Sequence, residues 1–286
     1  MIRFMNNQIS RFMLEAAIKL NIQQALLEDL GGGDITGRLI CEEQNAVATI
    51  ISKEEAIICG RPWADAVLHY MDPALKIQWH IQEGQRVKAD QILLTVEGNA
   101  RALLSAERSV LNFLQLLSGV ATRCRYFADK VSHTDVKLLD TRKTIPGLRV
   151  AQKYAVTFGG CFNHRFGLFD AFLIKENHIH ACGSIAHAVT QARKQAPDKK
   201  VEVEVESLHE LEQALTAGAD IIMMDNFTPE QLRQGVALTK NRVLVEASGN
   251  VNVNTLTAIA ETGVDFISMG TLTKDCQAID LSMCFT

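Results

Sequence analysis

The sequence predicts an α/β protein in two parts, a small α+β region followed by a shortened β/α barrel. Three observations predict it. From about residue 136 onward one grammar repeats: a short apolar run, a polar or glycine turn, and an amphipathic stretch. Six such runs occupy roughly 135 residues, too few for a complete eight-stranded barrel of ~250. Before about residue 116 that grammar is absent, and short alternating stretches are separated by glycine-bearing turns. An open doubly wound sheet is the rival for the second part.

Composition narrows the function classes. The 286 residues are 47% hydrophobic and 22% charged, with 18 Gly and 5 Pro, which excludes disordered and collagen-like chains. A net charge of −4 gives no general attraction to nucleic acid or anionic membrane. Anion binding would need a local basic cluster. No apolar run approaches the roughly 18–20 residues of a membrane span. Asn6, Asn7, Gln8, Ser10, Arg11 and Glu15 interrupt what a signal peptide would keep apolar. The seven cysteines are odd in number, scattered, and without a C-x-x-C pair, so a reducing cytoplasm is expected.

Taken in order, the first element is an amphipathic N-terminal helix, closed by the loop at Gly31, Gly32 and Gly33. Strand-like stretches follow at Ala46–Ile51, Ala56–Cys59, Ile77–Ile81 and Gln91–Val96, with a turn at Glu83-Gly84. A helix over Ala106–Ser118 bridges the two parts; Val110, Phe113, Leu114 and Leu117 form its buried stripe, opposite Arg108, Asn112 and Gln115. The strands of the second part are Val136–Leu139, Ala171–Ile174, Val201–Val205, Ile221–Met224, Val243–Val245 and Phe266–Met269. Between them, Ser207 with Glu210 reads as a capping box, and Thr228, Pro229 and Gln231 mark another helix start. Leu256, Ile259 and Ala260 share a face before Thr262-Gly263 ends the last helix.

Function belongs at the C-terminal ends of the strands, where β/α loops converge. Those ends carry Asp140-Thr141-Arg142-Lys143, Lys175-Glu176-Asn177-His178, Asp225-Asn226, Glu246-Ala247-Ser248-Gly249 and Gly270-Thr271. VEVEVES is the sharpest signal. Alternation sets Val201, Val203 and Val205 on one face and Glu202, Glu204 and Glu206 on the other. In a barrel the valines meet the helices and the carboxylates point inward. Like charges there repel by about 4 kcal/mol per close pair at an effective dielectric near 20, so they need cations. Arg142, Lys143 and Lys175 are the candidates; the alternative is an edge strand with a solvated acidic face.

Asn163-His164-Arg165, after Gly159-Gly160-Cys161, offers His and Arg to a planar carboxylate, unless it is simply a satisfied surface loop. The basic group as a whole predicts a small, multiply charged anionic substrate. Ser248-Gly249-Asn250 and Gly270-Thr271 let backbone N–H groups and the next helix N-terminus approach a phosphate.

Several stretches resemble the quinolinate phosphoribosyltransferase family, the carboxylating nicotinate-nucleotide pyrophosphorylases. They include EDLGGGDITG, LLDTRKTIPGLRVAQKYAV, GGCFNHRFGLFDAFLIKENHI, VEVEVES, DIIMMDNF, VEASGN and ETGVDFISMGTLT, in order over residues 27–274. The TRKT-x-PGLR and NHR-x-GL motifs are the most specific. The resemblance implies an N-terminal α/β sandwich domain (1–116), joined by the C-terminal tail (275–286), and an incomplete β/α barrel with fewer than eight strands (117–274). It implies transfer of phosphoribosyl from phosphoribosyl pyrophosphate to quinolinate with loss of CO2 in NAD synthesis, with Mg²⁺.

By the same resemblance, Arg142, His164, Arg165 and Lys175 bind quinolinate and Lys143 meets phosphoribosyl pyrophosphate. Lys143, Lys175, Glu204 and Asp225 form the implied catalytic set. Glu204 and Asp225 serve ribose hydroxyls and reach the metal through substrate and water; Ser248, Gly249 and Gly270 line the phosphate site. Arg108, in AERS, enters the neighbouring subunit's site, which implies a homodimer. Cys161 stands where the family usually has a third glycine.

Three other readings stay open on the residues. A molybdenum-associated paralogue of the same family has a similar barrel. A barrel lyase could use Lys175 as a Schiff base. The segment HIQEGQRVKADQILLTVEG is similar to the sandwich of lipoyl and biotinyl carriers, although their attachment lysine is not evident in its turn.

Overall fold

The computed structural model describes residues 9–285. The expected N-terminal helix is α1 (Arg11–Leu30), capped by the Ser10 hydroxyl; residues 1–8, with Asn6, Asn7 and Gln8, lie outside the described part. There follow β1 (Asn45–Ser52), β2 (Ala56–Ile57), α2 (Arg61–Met71), β3 (Lys76–Trp79), β4 (Arg86–Val87), β5 (Ile92–Asn99) and α3 (Ala100–Lys130). Then come β6 (Lys137–Leu139), α4 (Arg149–Phe158), β7 (Phe172–Ile174), α5 (Glu176–Cys182), α6 (Ile185–Gln195), β8 (Val201–Val205) and α7 (Leu208–Ala217). The chain closes with β9 (Ile221–Asp225), α8 (Pro229–Thr239), β10 (Leu244–Ser248), α9 (Leu256–Ala260), β11 (Phe266–Ser268), α10 (Thr271–Lys274) and β12 (Leu281–Phe285).

Two compact units result. The first holds residues 9–126, 144–160 and 272–285. Its antiparallel sheet has the order β12-β1-β5-β3, with β2-β4 as a separate pair. The tail contributes a strand: Leu281 to Phe285 pair with Ser52 to Ala48. Trp63 of α2 is fully buried, donates its indole N–H to Asn21 of α1 at 3.2 Å, and meets the Tyr154 ring of α4 edge-on at 5.3 Å. Asn21 in turn donates to the Gly147 carbonyl at 3.0 Å. These contacts place residues 144–160 in this unit, so the compact units do not follow a linear cut between residues 116 and 117.

Two local features depart from the sequence reading. Helix α3 is longer than Ala106–Ser118 because the Asn99 side chain accepts the Ala102 N–H at 3.1 Å, starting the helix earlier, and because it runs through Gly119. That glycine is needed: a Cβ there would sit 2.0 Å from the Gln277 carbonyl oxygen. Val110, Phe113, Leu114 and Leu117 are buried as the stripe predicts, while Arg108 and Asn112 are exposed. The Glu83-Gly84 turn is also more than a turn. Its Glu83 carboxylate accepts the N–H groups of Gly60 (2.7 Å) and Arg61 (3.2 Å), closing the first turn of α2, whose Gly60 cap has no side chain to do so.

The second unit holds residues 127–143 and 161–271 around one parallel sheet, order β6-β11-β10-β9-β8-β7. Strands β7 to β11 follow one another in space without reversal, and β6 returns beside β11. A doubly wound sheet would reverse direction at a switch point. This order instead fits an incomplete barrel, with six strands and no pairing between β6 and β7. Val201, Val203 and Val205 are fully buried against the helices, as the alternation requires. Thr228 and Gln231 form the reciprocal capping box expected at α8. At α7 Ser207 caps the Glu210 N–H, whereas the Glu210 carboxylate reaches back to the Glu206 N–H, one residue beyond the cap.

Candidate active site

Register fixes which side chains face the interior. Glu204 pairs with Met223 and Met223 with Glu246, while Ser248 pairs with Asp225. Since neighbours in register share a face, β8, β9 and β10 present Glu202, Glu204, Met223, Asp225, Glu246 and Ser248 together. At the C-terminal strand ends a cavity of about 330 Å³ is lined by Thr141, Arg142, Lys143, His164, Arg165, Leu173, Lys175, Glu204, Met223, Ser248 and Ser268. A larger acidic cavity of about 500 Å³ shares Glu204 but is otherwise lined by Glu176, Ile179, His180, Gly183, Glu206 and Glu210. An anion belongs in the first. There the cations converge.

The three inward glutamates form a gradient. Glu202 is buried, Glu204 half-buried and Glu206 exposed. Lys175 extends from the end of β7 onto Glu204 as a close ion pair. Glu202 meets His164 Nε2 at 3.1 Å. Glu206 faces solvent and needs no cation. The expectation of three interior carboxylates therefore holds for two positions of this strand; the strand ends before the third reaches the core.

Arg165 is half-buried, and one guanidinium N–H donates to the Ala171 carbonyl at 3.2 Å. Burial lowers its proton affinity, the neighbouring Arg142 lowers it further, and Glu202, Asp170 and Glu204 oppose this. The two guanidinium groups thus lie near enough to disfavour each other's charge, while three carboxylates nearby offset part of that effect. Asp170 shapes the same loop by accepting the Phe166 N–H at 2.7 Å. His164 is anchored at both ends: its N–H donates to buried Asp140 at 2.8 Å, and its Nδ1 accepts the Arg165 N–H at 2.7 Å. Cys161 is buried at a position with no positive φ, so glycine is not required there; Gly160, with φ +85°, takes the left-handed turn.

The late loops carry tight glycines. Gly249 has φ +86°, and a Cβ there would lie 2.2 Å from Asn226 Oδ1. A Cβ on Gly270 would lie 2.8 Å from Lys143 Cδ. Asn226 links the loops, donating to Asp225 Oδ2 at 2.7 Å and accepting from Asn250 at 3.0 Å. One expectation fails here. The helix after Ser248-Gly249 starts only at Leu256, so any N-terminal dipole lies away from that glycine; at Gly270, α10 follows at once. Backbone N–H groups, not a helix end, are what the Ser248 loop offers.

Sequence reasoning assigned no role to Asp140, Asn226, Asn250 or Glu246. Glu246 could have been found by alternation, since Leu244, Glu246 and Ser248 share a face of β10. Asn226 and Asn250 both have positive φ, which a sequence shows only as a preference of asparagine.

An incomplete barrel with cations clustered on one cavity beside glycine-lined late loops defines a protein with a strand-end site for small anions. The descriptions "Quinolinate phosphoribosyl transferase, N-terminal domain" and "C-terminal domain" match residues 34–118 and 120–284. A Bacillus subtilis protein named probable nicotinate-nucleotide pyrophosphorylase (carboxylating) is 41% identical over 93% of this chain and 92% of its own. The chloroplastic nicotinate-nucleotide pyrophosphorylase of Arabidopsis thaliana is 38% identical over 94% and 82%. The solved nicotinate-nucleotide pyrophosphorylase of Francisella tularensis superposes with a TM-score of 0.93, at 47% identity and 98% coverage of both chains. The chain belongs to the quinolinate phosphoribosyltransferase family.

Proposed function

We infer that the chain transfers phosphoribosyl from phosphoribosyl pyrophosphate to quinolinate, releasing pyrophosphate and CO2 and forming nicotinate mononucleotide for NAD synthesis. The observation that carries the site assignment is the convergence of Arg142, Arg165, Lys143 and Lys175 on one cavity of an acidic protein. Arg142 and Arg165 take the two carboxylates of quinolinate, which supplies the anion their mutual repulsion calls for. The His164 ring packs beside that pair. Lys143, with Ser248, Gly249 and Gly270, receives the phosphate groups of the donor, and Lys175 holds Glu204 in place.

The quinolinate nitrogen attacks the ribose carbon as pyrophosphate leaves. Glu204 and Asp225 hold ribose hydroxyls and steady the oxocarbenium-like centre. The resulting pyridinium stabilises the C2–carboxylate bonding pair as it is left on C2, that carboxylate departs as CO2, and C2 then takes a proton from water to give the product. Lys175 is committed to Glu204, so it does not offer the free amine lone pair a Schiff base needs.

Mg²⁺ fits as a companion of the donor. Among the described residues, the only cluster of three or more His, Cys, Asp or Glu close enough to share an ion is His164, Glu202 and Glu246, which excludes Glu204 and Asp225. Mg²⁺ favours oxygen ligands and retains water, so Glu204 and Asp225 are the residues that would hold it beside the donor, through water. Bound there, it would supply neutralisation of the leaving group's charge.

Exposed Arg108 completes the site of a second copy in a homodimer. The odd number of scattered cysteines, without a C-x-x-C pair, supports a cytoplasmic setting; among the described residues no helix is long and apolar enough to cross a membrane. Incubation with quinolinate, phosphoribosyl pyrophosphate and Mg²⁺ should yield nicotinate mononucleotide and CO2; no product would reject the reading and favour the molybdenum-associated paralogue. For assembly, inactive Arg108→Ala and Lys143→Ala proteins are mixed under subunit exchange. Shared sites restore activity, whereas confirmed heterodimers without activity would place Arg108 elsewhere.

A further inference from the structure

Below the substrate cavity the barrel interior holds two carboxyl groups without enough cations. Glu246 on β10 is fully buried and Glu202 on β8 is nearly so. Among the described residues, neither Glu246 oxygen nor Oε1 of Glu202 closes a hydrogen bond of ordinary geometry, although the Ser268 hydroxyl acts on Glu246. His164 Nε2 lies 3.1 Å from Glu202 Oε2 and 3.6 Å from Glu246 Oε2. Its other nitrogen, Nδ1, accepts the Arg165 N–H, so Nδ1 carries no proton and the ring is neutral with its proton on Nε2. One neutral ring cannot balance two buried carboxylates.

We propose that Glu246 is held as a carboxylic acid that donates to Glu202, and that this acid–carboxylate pair is a positioning device for Arg165. The proton on Glu246 supplies the missing donor. Glu202 then accepts from both Glu246 and His164 Nε2, which fixes the ring's tautomer and rotation. Nδ1 in turn fixes the Arg165 backbone, and through it the guanidinium that meets substrate. Burial first, and the adjacent Glu202 carboxylate second, push the Glu246 carboxyl up to about 8, with His164 and Ser268 pulling the other way. His164 thus serves by orientation and not as a cation.

The positioning role rests on reading the cavity as a quinolinate site; the placement of the proton does not. The test therefore uses two readouts on the full-length protein. Nitrogen-15 NMR of the His164 ring should show the Nε2–H tautomer in the native protein and in Glu246→Gln, whose amide replaces the acid's donor. Calorimetry should show quinolinate affinity falling about tenfold or more in Glu246→Ala and largely restored in Glu246→Gln, the loss of roughly one hydrogen bond to a charged group. A doubly protonated His164 ring would overturn the proposal. So would a Glu246→Gln variant as weak as Glu246→Ala, normal affinity in Glu246→Ala, or a stoichiometric divalent metal in the native protein that Glu246→Gln loses. If the native protein fails to bind quinolinate, the functional reading falls while the tautomer measurement still decides the proton.

Discussion

Two regions of the same barrel interior handle carboxylates in opposite ways. At the open end Glu204 is half-buried and neutralised by Lys175, with Arg142 and Lys143 exposed beside it. Glu202, one alternation deeper on β8, and Glu246, on β10 in register with Glu204 through Met223, are sealed from water and meet a histidine and the Ser268 hydroxyl instead of a lysine or arginine. Charge is affordable where solvent or a substrate can screen it; deeper in, a proton must do the work of a cation. The open end is thus arranged to exchange ions, and the sealed end to hold a geometry.

The largest effect that would break this comparison is at Lys175. Lys175→Arg conserves charge but replaces a compact ammonium by a planar fork that cannot occupy the same space against Glu204. Turnover is expected to fall about 10²–10³-fold, the scale seen when one electrostatic contact of a reacting centre is removed. Steady-state kinetics near the native value would show that only the charge mattered.

Next come the guanidinium groups. Arg142→Ala and Arg165→Ala should each cost about 1.5–3 kcal/mol of quinolinate binding, with far less change for phosphoribosyl pyrophosphate. Calorimetry with both ligands checks the asymmetry, and unchanged quinolinate affinity in both variants would remove these residues from the site.

How much of this was legible beforehand depends on which physics set each residue. The β/α alternation, the six strands and the inward face of VEVEVES follow from periodicity, and the structure keeps them. The cations at the strand ends were visible because each directly follows an apolar run. The end of helix α3 was not, because the stripe that marks the helix ends at Leu117, and the packing of Gly119 against Gln277 joins residues far apart in sequence. The grouping of residues 144–160 with the first unit depends on Trp63, Asn21 and Tyr154, three residues far apart in sequence. Glu246 looked like one strand-end residue among several; only its register with Glu204 through Met223, and its burial, set it apart.

A smaller effect sharpens the sealed end. Glu246 faces Glu202 from β8, His164 from the loop between α4 and β7, Ser268 from β11 and uncharged Met223 from β9. Its folded value of about 8 lies above the 4.5 of a free glutamate, so between these the folded state binds the extra proton. Stability from this group is therefore full at low pH and declines as pH rises toward 8, by at most about 1.4 kcal/mol per pH unit. Asp220, which burial raises but which its Arg193 and Val201 N–H partners and the nearby Lys200 together bring below its usual value, contributes in the opposite sense, losing stability as pH falls. Denaturant titrations from pH 5 to about 8.5 should show a flatter alkaline decline in Glu246→Gln than in the native protein. Parallel curves would mean that Glu246 is already ionised.

The most direct test of the open end as a dicarboxylate site is calorimetric titration of the native protein with quinolinate and with nicotinate, which lacks the second carboxylate. Two guanidinium groups in one cavity predict that quinolinate binds at least about tenfold more tightly, the value of one charge-assisted contact. Equal affinity for the two ligands would contradict the assignment of Arg142 and Arg165 to a pair of carboxylates.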